Sequence, residues 1–144
     1  LKYVQDDDLE YDPKDIPMII APILANKCDV CFGSRHMNRH NTYSSLTYYL
    51  GGIFVDSLIN VYLGTKISDA LTGAKAFTKN VFKTIRPIES KGFEIETEIT
   101  AKVIKHHFVL AEFPIHYFPR THKQGKNIRW HHAFRILWAL VRFA

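Results

Sequence analysis

The stretch Gln5-Asp6-Asp7-Asp8-Leu9-Glu10-Tyr11-Asp12-Pro13, directly behind the apolar Tyr3-Val4, decides how this chain is read. A short apolar run ending in carboxylates reads as a strand that delivers acids to its C-terminal tip. That is the edge at which an open α/β sheet carries ligand chemistry. Two readings of the acids stand side by side. They are a solvated cap for a helix opening at Pro13, or they hold Mg²⁺ or Mn²⁺ on an irregular turn and leave coordination positions for substrate phosphates.

Downstream, residues 13–26 read as a helix. Asp12 is the N-cap, Pro13 suits the first turn, and Ile16, Ile19, Ile20 and Ile23 recur at helical spacing, with Pro22 expected to shorten or kink the element. Residues 28–32 are a short apolar strand that Gly33-Ser34-Arg35 ends. Strand, acidic turn, helix and strand make a βαβ unit, so the two strands should run parallel. Cys28 and Cys31 form a C-x-x-C inside this apolar run. Strand residues three apart face opposite ways, and no second pair completes a zinc site, so buried thiols in a reducing compartment are expected.

Residues 36–43 are polar and aperiodic, a loop carrying Arg39 and two histidines. His36 and His40 are spaced i, i+4 without the glutamate a zincin needs between them, and read as solvent-exposed. Residues 44–63 form a long helix candidate whose single charge is Asp56. It is long enough to span a bilayer, but Gly51-Gly52, Asp56 and Asn60 favour a helix on a membrane surface or against a core. Residues 64–77 are loop then strand, 94–107 a helix, 108–118 β-like, and 120–129 a basic loop. Residues 130–143 read as an amphipathic, membrane-proximal helix, with Ile136, Leu137, Leu140 and Val141 on one side. Arg129, Arg135 and Arg142 are expected to reach anionic lipid. The organisation expected is a domain over 1–129 followed by this helix over 130–144.

With 144 residues, 47% hydrophobic and 23% charged, the composition supports one domain with a real core and excludes disorder. The net charge of +5 is uneven. Seven acids face three lysines before Gly33, whereas eight bases face Glu112 alone from Ala101 onward. An acidic, metal-holding end and a basic, phosphate- or membrane-facing end make this pattern. No nucleic-acid motif supports the competing partner, so no nucleic acid is expected. Leu1 opens in what reads as the middle of a strand, and a parallel sheet needs neighbours. The chain is therefore expected to be the C-terminal part of a longer domain.

Five motifs in order carry a resemblance. They are Asp6-Asp7-Asp8-Leu9-Glu10-Tyr11-Asp12-Pro13, then Gly33-Ser34-Arg35, then Asp69-x-x-Thr72-Gly73-x-Lys75-x-Phe77. After these come Phe93-Glu94-x-Glu96-x-Glu98, and Glu112-x-Pro114-Ile115-x-Tyr117 leading into Arg120-Thr121-x-x-x-Gly125-Lys126-x-Ile128-x-Trp130. Over essentially its whole length the chain resembles a family 2 glycosyltransferase of the GT-A fold, in the dolichyl- and polyprenyl-phosphate mannose or glucose synthase branch. It departs from that pattern at His131-His132, where relatives more often show an aspartate.

The resemblance implies an α/β fold with a mostly parallel sheet flanked by helices, the N-terminal nucleotide-binding strands missing. It implies an inverting, metal-dependent transfer of a hexose from a nucleotide-diphosphate sugar to a polyprenyl (dolichyl or undecaprenyl) phosphate, by an enzyme peripheral on the cytoplasmic face of a membrane. Asp6 and Asp8 would bind Mg²⁺ or Mn²⁺, Glu10 would add a ligand directly or through a water, and Asp6 would also meet the substrate. A divalent ion there neutralises the leaving diphosphate. Bringing two anions together calls for cations, so Arg35 and Arg39 are assigned to the acceptor phosphate, with Arg120 and Lys126 next, in a loop that the family uses near the pyrophosphate or the acceptor. Asp8, Arg35 and Asp69 are the catalytic candidates. Asp69 is left open between a base, an orienting group and a buried cap on Thr72-Gly73. Rival readings are a family 2 transferase acting on a glycan hydroxyl, which would need a general base, and a non-catalytic fragment that binds sugar nucleotide.

Overall fold

A computed structural model describes residues 1–4, 10–120 and 131–144. Asp6, Asp7, Asp8, Lys126 and Arg129 lie outside the described residues. Four strands form one sheet in the order β1 (Lys2–Val4), β3 (Lys75–Phe77), β2 (Val30–Ser34), β4 (Leu110–Pro114). β3 runs antiparallel to both β1 and β2, and β2 runs parallel to β4. The sheet is therefore mixed, which corrects the expectation of mostly parallel strands. β1 and β2 do point the same way, as a βαβ unit requires, but β3 sits between them. The connection that returns to β3 comes up from a long helix and enters the sheet from the opposite end.

The register puts the C-terminal ends of β1, β2 and β4, and the start of β3, at one edge. Arg35, the loop before Lys75, and Ile115 to Tyr117 all leave the sheet there. Alternation along β2 divides the core. Val30 and Phe32 join Ile59, Phe77, Val81, Ile99 and Val103 on one face, while Cys31 joins Ile19, Ile23, Ala76 and Ile115 on the other. Gly33 is required by close approach: a Cβ there would meet Ile115 Cγ2 at 2.8 Å and Ile19 Cδ1 at 3.1 Å. Cys28 precedes β2 and packs in the same cluster as Cys31, so the two do not face opposite ways; both are buried free thiols.

The helices lie within a few residues of the ranges expected from the sequence. Asp12 accepts from the Lys14 N–H at 2.9 Å and opens a 3₁₀ turn over Pro13–Asp15, which continues as α1 (Ile16–Leu24) with Pro22 inside it. Ser45 caps α2 (Leu46–Leu63) through the Tyr48 N–H, and Gly64 ends it in the left-handed region at φ 66°. A short helix, α3 (Lys79–Thr84), capped by Thr78, was not expected from the sequence. α4 (Glu94–Lys105) carries acids in its first turn and lysines in its last, as its dipole favours. α5 (His131–Phe143) packs on α4 through Ile136, Ala139, Leu140 and Phe143. Val141 points the other way and is 64% exposed, so the apolar side drawn from the sequence is corrected.

Candidate functional site

Arg35 follows the last residue of β2, and Asp69 stands in the loop that leads to β3. Three donors from Arg35 converge on Asp69. The backbone N–H and Nε–H donate to Oδ2 at 2.9 and 2.7 Å, and Nη2–H donates to Oδ1 at 2.7 Å. The Asp69 side chain is 0% exposed and that of Arg35 19%. Burial alone would raise the Asp69 carboxyl, but the guanidinium holds it below the usual carboxylate range. Burial pulls the other way on Arg35, and pairing with Asp69 keeps it protonated. Asp69 thus orients Arg35, and it makes none of the described hydrogen bonds of a cap on Thr72-Gly73. Thr72 Oγ1 accepts from the Ala74 N–H instead.

Tyrosines wall the pair. The Tyr117 ring lies 5.3 Å from Arg35 Cζ, with Tyr43 at 5.8 Å and Tyr11 at 6.0 Å from Tyr117. Burial pushes the Tyr43 and Tyr117 hydroxyls up to about 12, so both stay neutral donors. The loop that carries Asp69 is held from three sides. Glu112 of β4 accepts from the Ser68 N–H, the Ser68 hydroxyl at 2.8 Å and the Asp69 N–H at 3.2 Å. Tyr11 Oη accepts from the Gly73 N–H at 3.1 Å. Buried Lys75 reaches back to the Ala70 and Thr72 carbonyls and to Glu96.

His36 is not solvent-exposed, which corrects the sequence reading. Its ring stacks on Tyr43, and its side chain is 13% exposed. Nδ1 lies 3.0 Å from Tyr43 Oη, and Nε2 faces Asp56 Oδ2 at 3.5 Å. Asp56 Oδ1 accepts from the Ala70 N–H at 3.0 Å. Burial raises the Asp56 carboxyl, with His36 opposing. His40, in contrast, is exposed as expected.

His36, Asp56 and Asp69 offer ligand atoms within 4.8 Å of one another. Both Asp69 oxygens are already bound to a guanidinium, however, so the set fits a polar lock better than a cation. Glu10 is buried. Its Oε1 accepts from the Arg120 N–H at 2.8 Å and lies 3.7 Å from Arg120 Nε, and Tyr117 donates to Oε2 at 3.4 Å. Arg120 is thereby fixed beside Tyr117. Arg39 is exposed and lines a separate open groove with Met18, Met37 and His116, which neither Arg35 nor Asp69 lines. The three motif glutamates are spent on structure: Glu94 on Arg135, Glu96 on Lys75, and Glu98 on Lys102 and the Glu89 and Ser90 N–H groups.

The structure therefore brings together Arg35, Asp69, Glu10 and Arg120 through Tyr117, and leaves Arg39 apart. Sequence reasoning gave no role to Glu112, Tyr43 or Asp56. Asp56 had a signal, since a lone acid in an apolar helix must find a polar partner.

No family model matches the chain. It is 25% identical over 138 residues to an uncharacterized protein of Methanocaldococcus jannaschii, covering 94% of this chain and 57% of that one. It is 26% identical over 140 residues to the low-salt glycan biosynthesis hexosyltransferase of Haloferax volcanii (96% and 32%). It is 23% identical over 138 residues to the UDP-N-acetylglucosamine–dolichyl-phosphate N-acetylglucosaminyltransferase of Methanococcus voltae (94% and 55%). The chain spans between a third and just over half the length of these curated relatives. At low identity, then, it is similar to archaeal glycosyltransferases.

Proposed function

We propose that this chain is the acceptor-side part of an inverting glycosyltransferase that moves a hexose from a nucleotide-diphosphate sugar to a polyprenyl phosphate at a membrane surface. The observation that carries the reading is the Arg35–Asp69 pair. It presents a half-buried, aromatic-walled guanidinium at the sheet edge, while its carboxylate is held ionised and fully occupied. A hydroxyl acceptor needs a general base, and Asp69 in this state is a poor one. A phosphate acceptor is already anionic and needs a cation to meet it. The dolichyl-phosphate acceptor in the name of the Methanococcus relative points the same way.

In this reading Arg35 orients the acceptor phosphate with the guanidinium edge that Asp69 leaves exposed, and Tyr117 supports it from below. Glu10 holds Arg120 beside Tyr117, and Arg120, with Lys126 from the same basic stretch of sequence, is assigned to the donor diphosphate. Asp6 and Asp8 would hold Mg²⁺ or Mn²⁺, ions that carboxylates suit, with Glu10 as a further ligand directly or through a water. The ion would supply charge neutralisation for the departing nucleoside diphosphate. Membrane contact falls to the exposed apolar side chains of α2 and α5. α2 is the one helix among the described residues long and apolar enough to cross a membrane, and only 11% of it is buried. A peripheral place on the cytoplasmic face of the membrane is part of the same proposal.

The test is to incubate the full-length protein with a panel of labelled sugar nucleotides and polyprenyl phosphate, then extract lipid. Label should enter the lipid, and Asp8→Ala or EDTA should abolish it, since a lost metal site removes several kcal/mol of transition-state stabilisation. Transfer that survives both treatments overturns the metal role. Label that enters only a soluble glycan overturns the acceptor.

A further inference from the structure

His36 Nε2 and Asp56 Oδ2 are buried, face each other at 3.5 Å, and have no hydrogen-bond partner among the described residues. Their other polar atoms are engaged on opposite sides of the site. His36 Nδ1 meets the Tyr43 hydroxyl, which donates to the Arg35 carbonyl at 3.2 Å. Asp56 Oδ1 takes the N–H of Ala70, the residue after Asp69. His36 thus reaches the backbone of Arg35 through Tyr43, Asp56 on α2 holds that of the Asp69 loop, and the pair connects the two.

We propose that His36 and Asp56 are positioning residues for Arg35, a polar tie that fixes the guanidinium at the angle at which a substrate phosphate meets it. This rests on the transferase reading above. The groups that face the tie are Asp69 and Arg35 from the sheet edge, Tyr43 from the preceding loop and Tyr49 from α2. Asp69 is paired with Arg35, so among the described residues His36 is the basic side chain that faces the Asp56 carboxylate. A position serving packing alone would not keep a buried carboxylate with one backbone donor, because such a group is costly to desolvate. Burial also raises the Asp56 carboxyl, consistent with an acid held here against stability.

Asp56→Asn is the discriminating variant. The amide keeps the shape and the acceptor for Ala70 but takes away the carboxylate that faces His36 Nε2, so the link across the pair is lost while the fold survives. In the full-length enzyme this variant should melt at or above the wild-type temperature yet lose roughly tenfold or more in kcat, the scale of a misplaced catalytic group, with the donor KM unchanged. His36→Gln should behave alike, and the double variant should be no worse than the poorer single one, as for residues acting as a unit. Wild-type kcat in both single variants, or losses that multiply in the double, overturns the tie. A readout independent of turnover is proton exchange of the Arg35 Nε–H by NMR, which should quicken in both variants. If the wild type transfers no sugar but Arg35 exchange still quickens, the transferase reading fails and the tie stands. An active wild type with unchanged Arg35 exchange in both variants overturns the tie.

Discussion

Two arginines in this chain meet a carboxylate at nearly the same distance and in opposite surroundings. Arg35 reaches Asp69 at 2.7 Å, and Arg142 on α5 reaches Glu89 at 2.5 Å. Asp69 is 0% exposed and takes three donors from Arg35, whereas Glu89 is 46% exposed and Arg142 is 47% exposed. Water does for the second pair what the protein must do for the first. A buried pair that loses one partner leaves an uncompensated charge, which costs about 3–5 kcal/mol. An exposed pair is worth about 0–1 kcal/mol, less in salt. The pair at the sheet edge therefore fixes geometry; the pair on α5 only decorates a surface.

The largest expected effect follows directly. Asp69→Asn should destabilise the protein by about 3 kcal/mol or more in urea unfolding, and Glu89→Gln by under about 1 kcal/mol. The sign with pH can be worked out. The folded Asp69 carboxyl is depressed, so its contribution is present above the unfolded carboxylate range, near 4, and is lost as pH falls through its lower folded value. Wild type should thus lose its advantage over Asp69→Asn in acid. Equal stability of the two proteins at pH 7 would break the comparison.

A smaller effect, confined to kinetics, is expected from Arg35→Lys. The ammonium keeps the charge but cannot span both Asp69 oxygens and a phosphate, so acceptor KM should rise or kcat fall by about tenfold. The same exchange at Arg142 should leave turnover alone. Unchanged kinetics toward the lipid phosphate would move Arg35 from chemistry to architecture.

What the sequence made legible was local. The helix start at Asp12 is a side-chain signal within a few residues, and α1 and α2 lie within two or three residues of expectation. The order of strands is not local. Nothing in Lys75-Ala76-Phe77 says that it enters between β1 and β2, because a three-residue strand buried on both sides carries no period that marks its direction. α3 escaped notice for a similar reason: six residues with one Thr cap give too little periodicity. At the site, Arg35 and Asp69 were named separately from motifs. Their pairing, 34 residues apart, is a product of the sheet register. His36 was misread because spacing describes a helix face, while its surroundings come from Tyr43, Tyr49 and Asp56.

The smallest effect concerns the surface pairs and the membrane. Arg135 and Arg142 read from sequence as cations for anionic lipid, each contributing about 1 kcal/mol near such a surface. The structure commits them to Glu94 and Glu89, so lipid must compete with a carboxylate for each, and the net gain shrinks. Trp138 and Val141, 59% and 64% exposed on the same helix, make no such commitment to an acid and offer apolar area instead. Liposome flotation of the full-length protein should therefore fall more on Trp138→Ala with Val141→Ser than on Arg135→Glu with Arg142→Glu. Burying the Trp and Val side chains is worth roughly 2–3 kcal/mol in total. Salt should weaken binding only slightly. A steep salt dependence, with the arginine variants the weaker binders, would show that the α5 pairs open at the membrane and that their exposure, rather than their pairing, governs what they do.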